Sequence, residues 1–207
     1  MTAQVDKRLE QGARSRQEIL DAAERVMSHQ GYNGTSVALI SKESGLPNSS
    51  IYWHFESKSA ILAAVMERGA RRFFEQTPLV RIDDPSPQAR LEANLVLASE
   101  TIIANRDFLR LLLLLVISNH DPKVQRVIAD VRHEGRRRIR AIVEYAFETH
   151  GARAAAVADE YADYALACFD GIFFALQANP DLPFAGEIAK FAQAIALLGE
   201  QFLAGPR

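Results

Sequence analysis

The sequence predicts an all-α protein, with an N-terminal group of three helices and a larger C-terminal helical bundle, about nine helices in total. Three observations predict this class. Apolar residues recur three and four positions apart along almost the whole chain, which is the spacing of one helix face. Glycine and proline clusters interrupt this pattern at helix-length intervals. No segment alternates apolar and polar residues as a half-buried strand would.

Composition favours an ordinary globular protein. Hydrophobic residues make up 48% of the 207 positions and charged residues 24%, which allows a sizeable buried core. The net charge of -2 gives no overall attraction to nucleic acid or an acidic membrane, so such contacts need a local patch. The single cysteine, Cys168, excludes an internal disulfide, and the apolar run at 111–117 is too short to span a membrane. We therefore expect a soluble cytoplasmic protein.

One apolar face and its end signal predict the first helix. Within residues 14–31 that face consists of Ile19, Ala22, Ala23, Val26 and Met27. Gly31 stands where a helix would end. Thr35 and Ser36 are good capping residues before a second helix at 37–44, and Gly45 suits the left-handed residue of a tight turn.

Pro47 predicts the start of a third helix, because its missing N–H would have no partner in the first turn. This helix runs to about Phe55, which lies one turn after Ile51 on the same side. Ser57 is placed to cap a long fourth helix. The fourth helix carries a broad apolar stripe made of Ile61, Leu62, Val65, Met66, Gly69, Phe73 and Phe74.

Residues 77–88 hold three prolines and two aspartates, which predicts a loop and a domain boundary nearby. Further helices are predicted near residues 86–104, 106–118, 121–150, 155–178 and 186–204. We therefore expect an N-terminal domain at 1–58, with its terminal arm, and a C-terminal domain at 59–207.

Two short helices joined by a glycine turn predict a helix-turn-helix, whose second helix lies in the major groove of DNA. Short polar side chains at the start of that helix can reach base edges: Asn48, Ser49 and Ser50. Ring side chains that follow can present polar atoms to phosphates: Tyr52, Trp53 and His54. Ile51 and Phe55 would anchor the helix, and Lys58 would add a positive charge.

These residues resemble the TetR-type (TetR/AcrR) one-component transcriptional regulators. The resemblance is dense over residues 15–62, in Gly31-Tyr32, Thr35-Ser36-Val37, Ile40, Gly45-Leu46, Ile51-Tyr52-Trp53-His54-Phe55, Ser57-Lys58 and Ile61-Leu62. It implies phosphate contacts by Ser36, Tyr52, Trp53, His54 and Lys58, and base contacts by Asn48, Ser49 and Ser50. Ser41 stands where the family usually has Ala, and Ala38 and Leu39 replace polar residues. Base recognition would then depend more on the third helix and on the arm Lys7, Arg8, Arg14 and Arg16.

Two basic segments leave alternatives open. The arm at 7–16 would be either a frayed terminus or a DNA contact. The arginines of 132–140 would form a solvated face or a second nucleic-acid patch, and Arg138, close to an apolar stripe, could meet an anionic ligand. The scattered histidines predict no metal site, and no catalytic motif is evident, so we expect neither an enzyme nor a cofactor.

The C-terminal half predicts a ligand pocket and a dimer interface. Large apolar side chains from several helices could line a cavity or simply fill the core: Phe73, Phe74, Phe108, Leu112, Phe169 and Phe173. The resemblance implies such a pocket, and its composition favours an apolar or amphipathic small molecule. The last two helices carry apolar residues on more than one face, which predicts a homodimer through these helices. The two recognition helices of such a dimer would bind a palindromic double-stranded DNA operator. A helical small-molecule-binding protein or enzyme and an effector-independent DNA-binding protein are the alternatives.

Overall fold

A computed structural model describes residues 2–118 and 122–205, without the side chains of residues 2–8 and of Lys123. The described residues form nine α-helices, which confirms the all-α prediction. The helices are α1 (Thr2–Gly34), α2 (Val37–Ser44), α3 (Asn48–His54), α4 (Lys58–Glu75), α5 (Pro87–Ala104), α6 (Arg106–Ser118), α7 (Pro122–Ala146), α8 (Arg153–Ala178) and α9 (Phe184–Ala204). A 3₁₀ turn, Glu148–His150, follows α7.

Two compact units make up the chain. The first consists of Met1–Arg72 with Asn105–Val131, and the second of Phe73–Ala104 with Arg132–Arg207. The helices α4 and α7 each continue from one unit into the other. The predicted division between residues 58 and 59 does not coincide with the limits of these compact units, and it stays a prediction.

Helix α1 is longer than the sequence pattern indicated. The predicted start near residue 14 is wrong, because the helix begins at Thr2. Residues 2–14 contain no proline that would stop a helix. Gly12 lowers the stability of a helix by only about 1 kcal/mol relative to alanine. Near the other end, Gly31 departs from helical geometry with a φ of 70°. The break predicted at 119–121 lies outside the described residues.

The core of the first unit is built on the apolar face of α1. Its buried side chains include Ile19, Leu20, Ala23, Met27, Ile40, Ile51, Ile61 and Leu62. Helix α4 approaches α6 closely at Gly69, where an added Cβ would lie 2.3 Å from Cδ2 of Phe108. Residue 69 therefore has to be glycine for the Phe108 ring to stay fully buried in this position.

The second unit holds the proline-rich segment after α4 in an ordered path. The Asn94 side chain accepts a hydrogen bond from the N–H of Val80 at 2.7 Å and donates one to its carbonyl at 2.9 Å. The hydroxyl of Tyr145 accepts from the N–H of Ile82 at 2.7 Å and donates to the same residue's carbonyl at 3.2 Å. The segment is therefore fastened at two points, as a strap rather than a free linker.

The basic segment 132–140 is paired with acidic residues of α8. Arg132 contacts Asp170 at 2.5 Å, and Arg136 and Arg140 contact aspartates at 2.6 Å each, Asp163 and Asp159 respectively. Hydrogen bonds from these two arginines hold the pKa values of Asp163 and Asp159 below the usual range. The arginines thus join two helices, which favours a structural role over a second nucleic-acid patch.

No helix within 2–118 or 122–205 combines the length and apolar character needed to cross a bilayer.

Candidate nucleic-acid interface

Short hydrogen bonds set the turn between α2 and α3. The Ser36 hydroxyl caps α2 by accepting from the N–H of Leu39 at 3.2 Å. Gly45 takes the left-handed conformation, with φ 71° and ψ 6°, and Pro47 precedes α3. The Ser41 hydroxyl donates to the Leu46 carbonyl at 2.6 Å, across the turn. In the sequence Ser41 is only a departure from the resembled family, and in the structure it ties α2 to the residue before Pro47.

Helix α3 has one buried side and one exposed side. Ile51 is fully buried, and Phe55 at the helix end is 6% exposed. On the other side Tyr52 is 58% exposed and Trp53 76% exposed. Asn48 and Ser49 are also exposed, while Ser50 and His54 are half-buried. The helix therefore presents its polar residues and rings outward from a small apolar support.

The extension of α1 lies beside this exposed face. A Cβ added at Gly12 would lie 3.7 Å from the Trp53 ring, so helix and indole are in van der Waals reach. The Arg16 guanidinium lies 5.2 Å from the centre of the Phe55 ring. Arg14 is exposed and pairs with Glu18 at 3.1 Å. The side chains of Lys7 and Arg8 lie outside the described residues.

His54 is the titratable ring of this surface. Its ring meets that of Trp53 edge-on, with centroids 4.5 Å apart. Burial, and secondarily the charge of Arg16, lower the pKa of His54 below its ordinary value. The lowered pKa favours the neutral imidazole, which keeps one N–H to donate.

Lys58 is held inside the first unit. Its ammonium donates to the Tyr32 carbonyl at 2.9 Å and to the Thr35 carbonyl at 2.8 Å. The same group lies 4.3 Å from the centre of the Tyr32 ring. A cation on carbonyls at the end of α1 is favoured by the helix dipole, so Lys58 ties α4 to the segment before α2. The phosphate contact predicted for Lys58 would require the ammonium to share or leave these carbonyls.

A buried carboxylate links α1 to α4, and the sequence pattern did not reveal it. Glu24, whose side chain is 8% exposed, accepts from Arg68 and from Arg72 at 2.7 Å each. Arg72 also donates to the Asn105 side chain at 2.7 Å, next to the start of α6. The available signal was a carboxylate one turn after Leu20, beside the apolar face of α1, with two arginines one turn apart on α4.

The residues predicted to bind a ligand fall into both compact units. Phe108 and Leu112 belong to α6 in the first unit, and Phe108 is fully buried against Gly69. The other five lie in the second unit: Phe73, Phe74, Arg138, Phe169 and Phe173. A common pocket would need side chains from both units, so it stays a prediction.

Within the second unit, three of these residues come together. The rings of Phe73 and Phe74 have centroids 5.3 Å apart, and the Arg138 guanidinium lies 5.4 Å from the Phe74 ring. Arg138 also pairs with Glu134 at 2.8 Å and donates to the Thr77 carbonyl at 3.2 Å. Its charge is thus already compensated inside the protein.

On α8, Phe173 is 7% exposed and Phe169 is half-buried. Cys168 is half-buried and forms no disulfide. No group of three His, Cys, Asp or Glu side chains able to hold a metal ion occurs among the residues that the structure describes.

Comparison with known proteins finds one family model that matches the sequence of this region. Residues 19–65 match the family model "Bacterial regulatory proteins, tetR family". The chain is 39% identical over 61 residues to the HTH-type transcriptional regulator AcrR of Shigella flexneri, covering 30% of this chain and 28% of that one. It is 33% identical over 93 residues to the HTH-type transcriptional repressor BepR of Brucella suis, covering 44% of each chain. Less than half of each relative is therefore compared.

The fold likeness extends further along the chain. A proposed transcriptional regulator from Saccharomonospora viridis, solved in complex with choline, superposes with a TM-score of 0.71 at 22% identity. The superposition covers 88% of this chain and 95% of that one. Residues 19–65 are therefore similar to the tetR family of bacterial regulatory proteins, and the described residues share their all-helical fold with this solved protein.

Proposed function

We propose that this protein is a ligand-responsive transcriptional regulator, most simply a homodimeric repressor that leaves a palindromic operator when a small molecule binds its C-terminal part. The exposed face of α3 carries this proposal. Its rings lie on the surface although rings of this size are usually buried, and its polar residues lie at the helix start, where base edges would be met. Such a protein would act in the cytoplasm, where bacterial DNA is found.

In this proposal the side chains of the interface have different tasks. Asn48, Ser49 and Ser50 read base edges, since short polar side chains at the start of a recognition helix fit the major groove. The polar ring atoms of Tyr52, Trp53 and His54 contact phosphates, and Ser36 does so from the start of α2. Phosphate contacts fix the position of the protein on the duplex and carry no sequence information. Their loss therefore weakens binding to every DNA sequence alike.

A gel-shift or fluorescence anisotropy titration with the DNA upstream of the protein's own gene tests DNA binding. Tyr52→Phe keeps the ring and removes the hydroxyl, and Tyr52→Ala removes both. If the hydroxyl binds a phosphate, both variants weaken binding by a similar factor on every DNA sequence, and the salt dependence stays unchanged because a neutral hydroxyl releases no counterion. Asn48→Ala should instead relax sequence preference. No binding by the wild-type chain at low salt would refute the proposal.

The response to a ligand rests on the continuity of α4. This helix begins at Lys58, next to α3, and ends at Glu75, beside the paired rings Phe73 and Phe74. A molecule that binds better when α4 is displaced would lower operator affinity by the difference in its two binding energies, typically about 1 to 3 kcal/mol. A compound screen by thermal shift, followed by operator titration, tests this step. Full operator binding that no stabilising compound changes would favour an effector-independent DNA-binding protein.

An exposed apolar stripe on α8 supports a homodimer through the last two helices. The stripe consists of Tyr164, Ala167, Gly171 and Phe174, spaced three and four residues apart on one face. Tyr164 is 52% exposed and Phe174 56% exposed. A Cβ added at Gly171 would meet nothing within 4 Å among the described residues, so these give no packing reason for glycine there. Since glycine costs about 1 kcal/mol in a helix interior, close approach by a second subunit is the reason we propose.

On α9, Leu197 is 58% exposed and Phe202 37% exposed, which extends the apolar surface. Sedimentation of Gly171→Leu tests the interface, with Ala104→Leu at an exposed position of α5 as control. The first variant should dissociate at concentrations where the wild type and the control are dimers. An unchanged dimer in Gly171→Leu would place the interface elsewhere, and the operator titration above would remain informative.

A further inference from the structure

A cavity of about 160 Å³ lies in the first unit, beside the connection from α3 to α4. Its apolar floor is formed by buried side chains of three helices: Leu62 and Met66 of α4, Leu115 of α6, and Val124 and Ile128 of α7. Its polar lining residues are Glu56, Ser57 and Ser59, and because Glu56 and Ser57 are exposed we take them to mark its mouth. None of the seven residues that the sequence predicted for ligand binding lines it.

The size of the cavity limits its occupant. A protein cavity of about 150 Å³ with aliphatic walls holds a benzene molecule, so this one has room for a single six-membered ring and a short substituent. Pockets for drug-sized ligands are larger, about 300 to 1,000 Å³. The occupant is therefore a small monocyclic compound rather than a multi-ring molecule.

The mouth indicates which substituent fits. The Ser57 hydroxyl is within 2.9 Å of the Ser59 hydroxyl and also accepts from the N–H of Ala60 at 3.1 Å. These two hydroxyls are thus partly satisfied by the protein itself. The Glu56 carboxylate adds a negative charge at the same mouth, which favours a protonated amine over a neutral or anionic group.

We propose that this cavity is a binding site for small monocyclic amines, separate from the ligand pocket predicted from the sequence, and that its occupancy changes DNA affinity. The regulatory part rests on the proposed DNA-binding function. Glu56 and Ser57 lie in the three-residue connection between the end of α3 at His54 and the start of α4 at Lys58. An occupant that presses on this connection alters the position of the exposed side of α3.

Benzylamine is a suitable probe, with benzyl alcohol as its neutral counterpart. Binding to the full chain without DNA is measured by calorimetry and by NMR of the alanine methyl groups. Ala63→Leu fills part of the cavity that Ala63 lines, and Ala64→Leu makes the same change at the next residue, which does not line it. Thermal unfolding of both variants shows whether they fold.

We expect saturable benzylamine binding that Ala63→Leu weakens by about tenfold or more and Ala64→Leu leaves within about twofold. Glu56→Gln should weaken benzylamine binding several-fold while leaving benzyl alcohol unaffected. Absence of saturable binding, or equal affinity of Ala63→Leu and the wild type, would overturn the site. Equal benzylamine affinity of Glu56→Gln and the wild type would overturn the assignment to amines.

Operator titration with and without saturating benzylamine tests the regulatory part separately. Operator affinity should change by about fivefold or more in the wild type and stay constant in Ala63→Leu. An unchanged affinity in the wild type would overturn regulation through this site. A chain that binds no operator under any condition would refute the proposed function, and the binding measurements without DNA would still decide the site.

Discussion

Replacing Lys58 by alanine separates a structural from a DNA-binding role for this side chain. The change removes two charge-assisted hydrogen bonds, of 2.9 Å to the Tyr32 carbonyl and 2.8 Å to the Thr35 carbonyl. Each such bond contributes about 1.5 kcal/mol or more, but Lys58 is half-buried and water can replace part of the loss. We expect the free energy of unfolding of the N-terminal part to fall by about 2 kcal/mol.

Urea unfolding followed by tryptophan fluorescence measures this loss directly. The chain has one tryptophan, Trp53, and it lies on α3, so its signal reports the unit in which Lys58 acts. Lys42→Ala is a matched control, because Lys42 is an exposed lysine in the last turn of α2. The control should stay within about 0.5 kcal/mol of the wild type, as surface substitutions usually do.

The salt dependence of DNA binding provides the refuting result. If Lys58 supports α1 and does not bind phosphate, Lys58→Ala lowers affinity through instability and leaves the slope of log affinity against log salt unchanged. A phosphate contact would lower the magnitude of that slope by about 1. An unchanged unfolding midpoint together with a reduced slope would show that the structural interpretation of Lys58 is wrong.

Three further predictions follow from single contacts. Gly199→Ala places a Cβ 2.2 Å from Cζ of the fully buried Phe147, so we expect a loss of about 1 to 3 kcal/mol by thermal unfolding, and an unchanged Tm would contradict this packing. Ser41→Ala removes the 2.6 Å hydrogen bond to the Leu46 carbonyl, so amide hydrogen exchange in α3 should accelerate. An unchanged exchange rate would show that this bond does not stabilise the turn. Because the pKa of His54 is lowered on folding, the unfolded chain takes up this proton first as pH falls below about 6.5. The free energy of unfolding therefore decreases as the pH falls through this range. NMR titration should give a pKa of His54 below the ordinary value, and added operator DNA should raise that pKa if His54 contacts a phosphate.

Local signals predicted much of the fold and of the interface. Gly45 and Pro47 act on the backbone of their own turn, so the ends of α2 and α3 were predicted within a residue or two. The buried and exposed sides of α3 follow from spacing along one short helix, and Ile51 and Tyr52 lie on the sides expected. The start of α1 was misjudged because a polar helix and a frayed arm have similar composition.

Sequence alone determined that this chain is helical, where most helices end, and that its third helix presents polar and ring side chains from an apolar support. Each of these depends on residues within one or two turns of each other. Only tertiary structure decided that the Lys58 ammonium is bound by carbonyls, that Glu24 is buried between two arginines, and that a cavity lies beside Ala63. These features join residues far apart in the chain, and helical periodicity fixes the direction of a side chain but not the partner it meets.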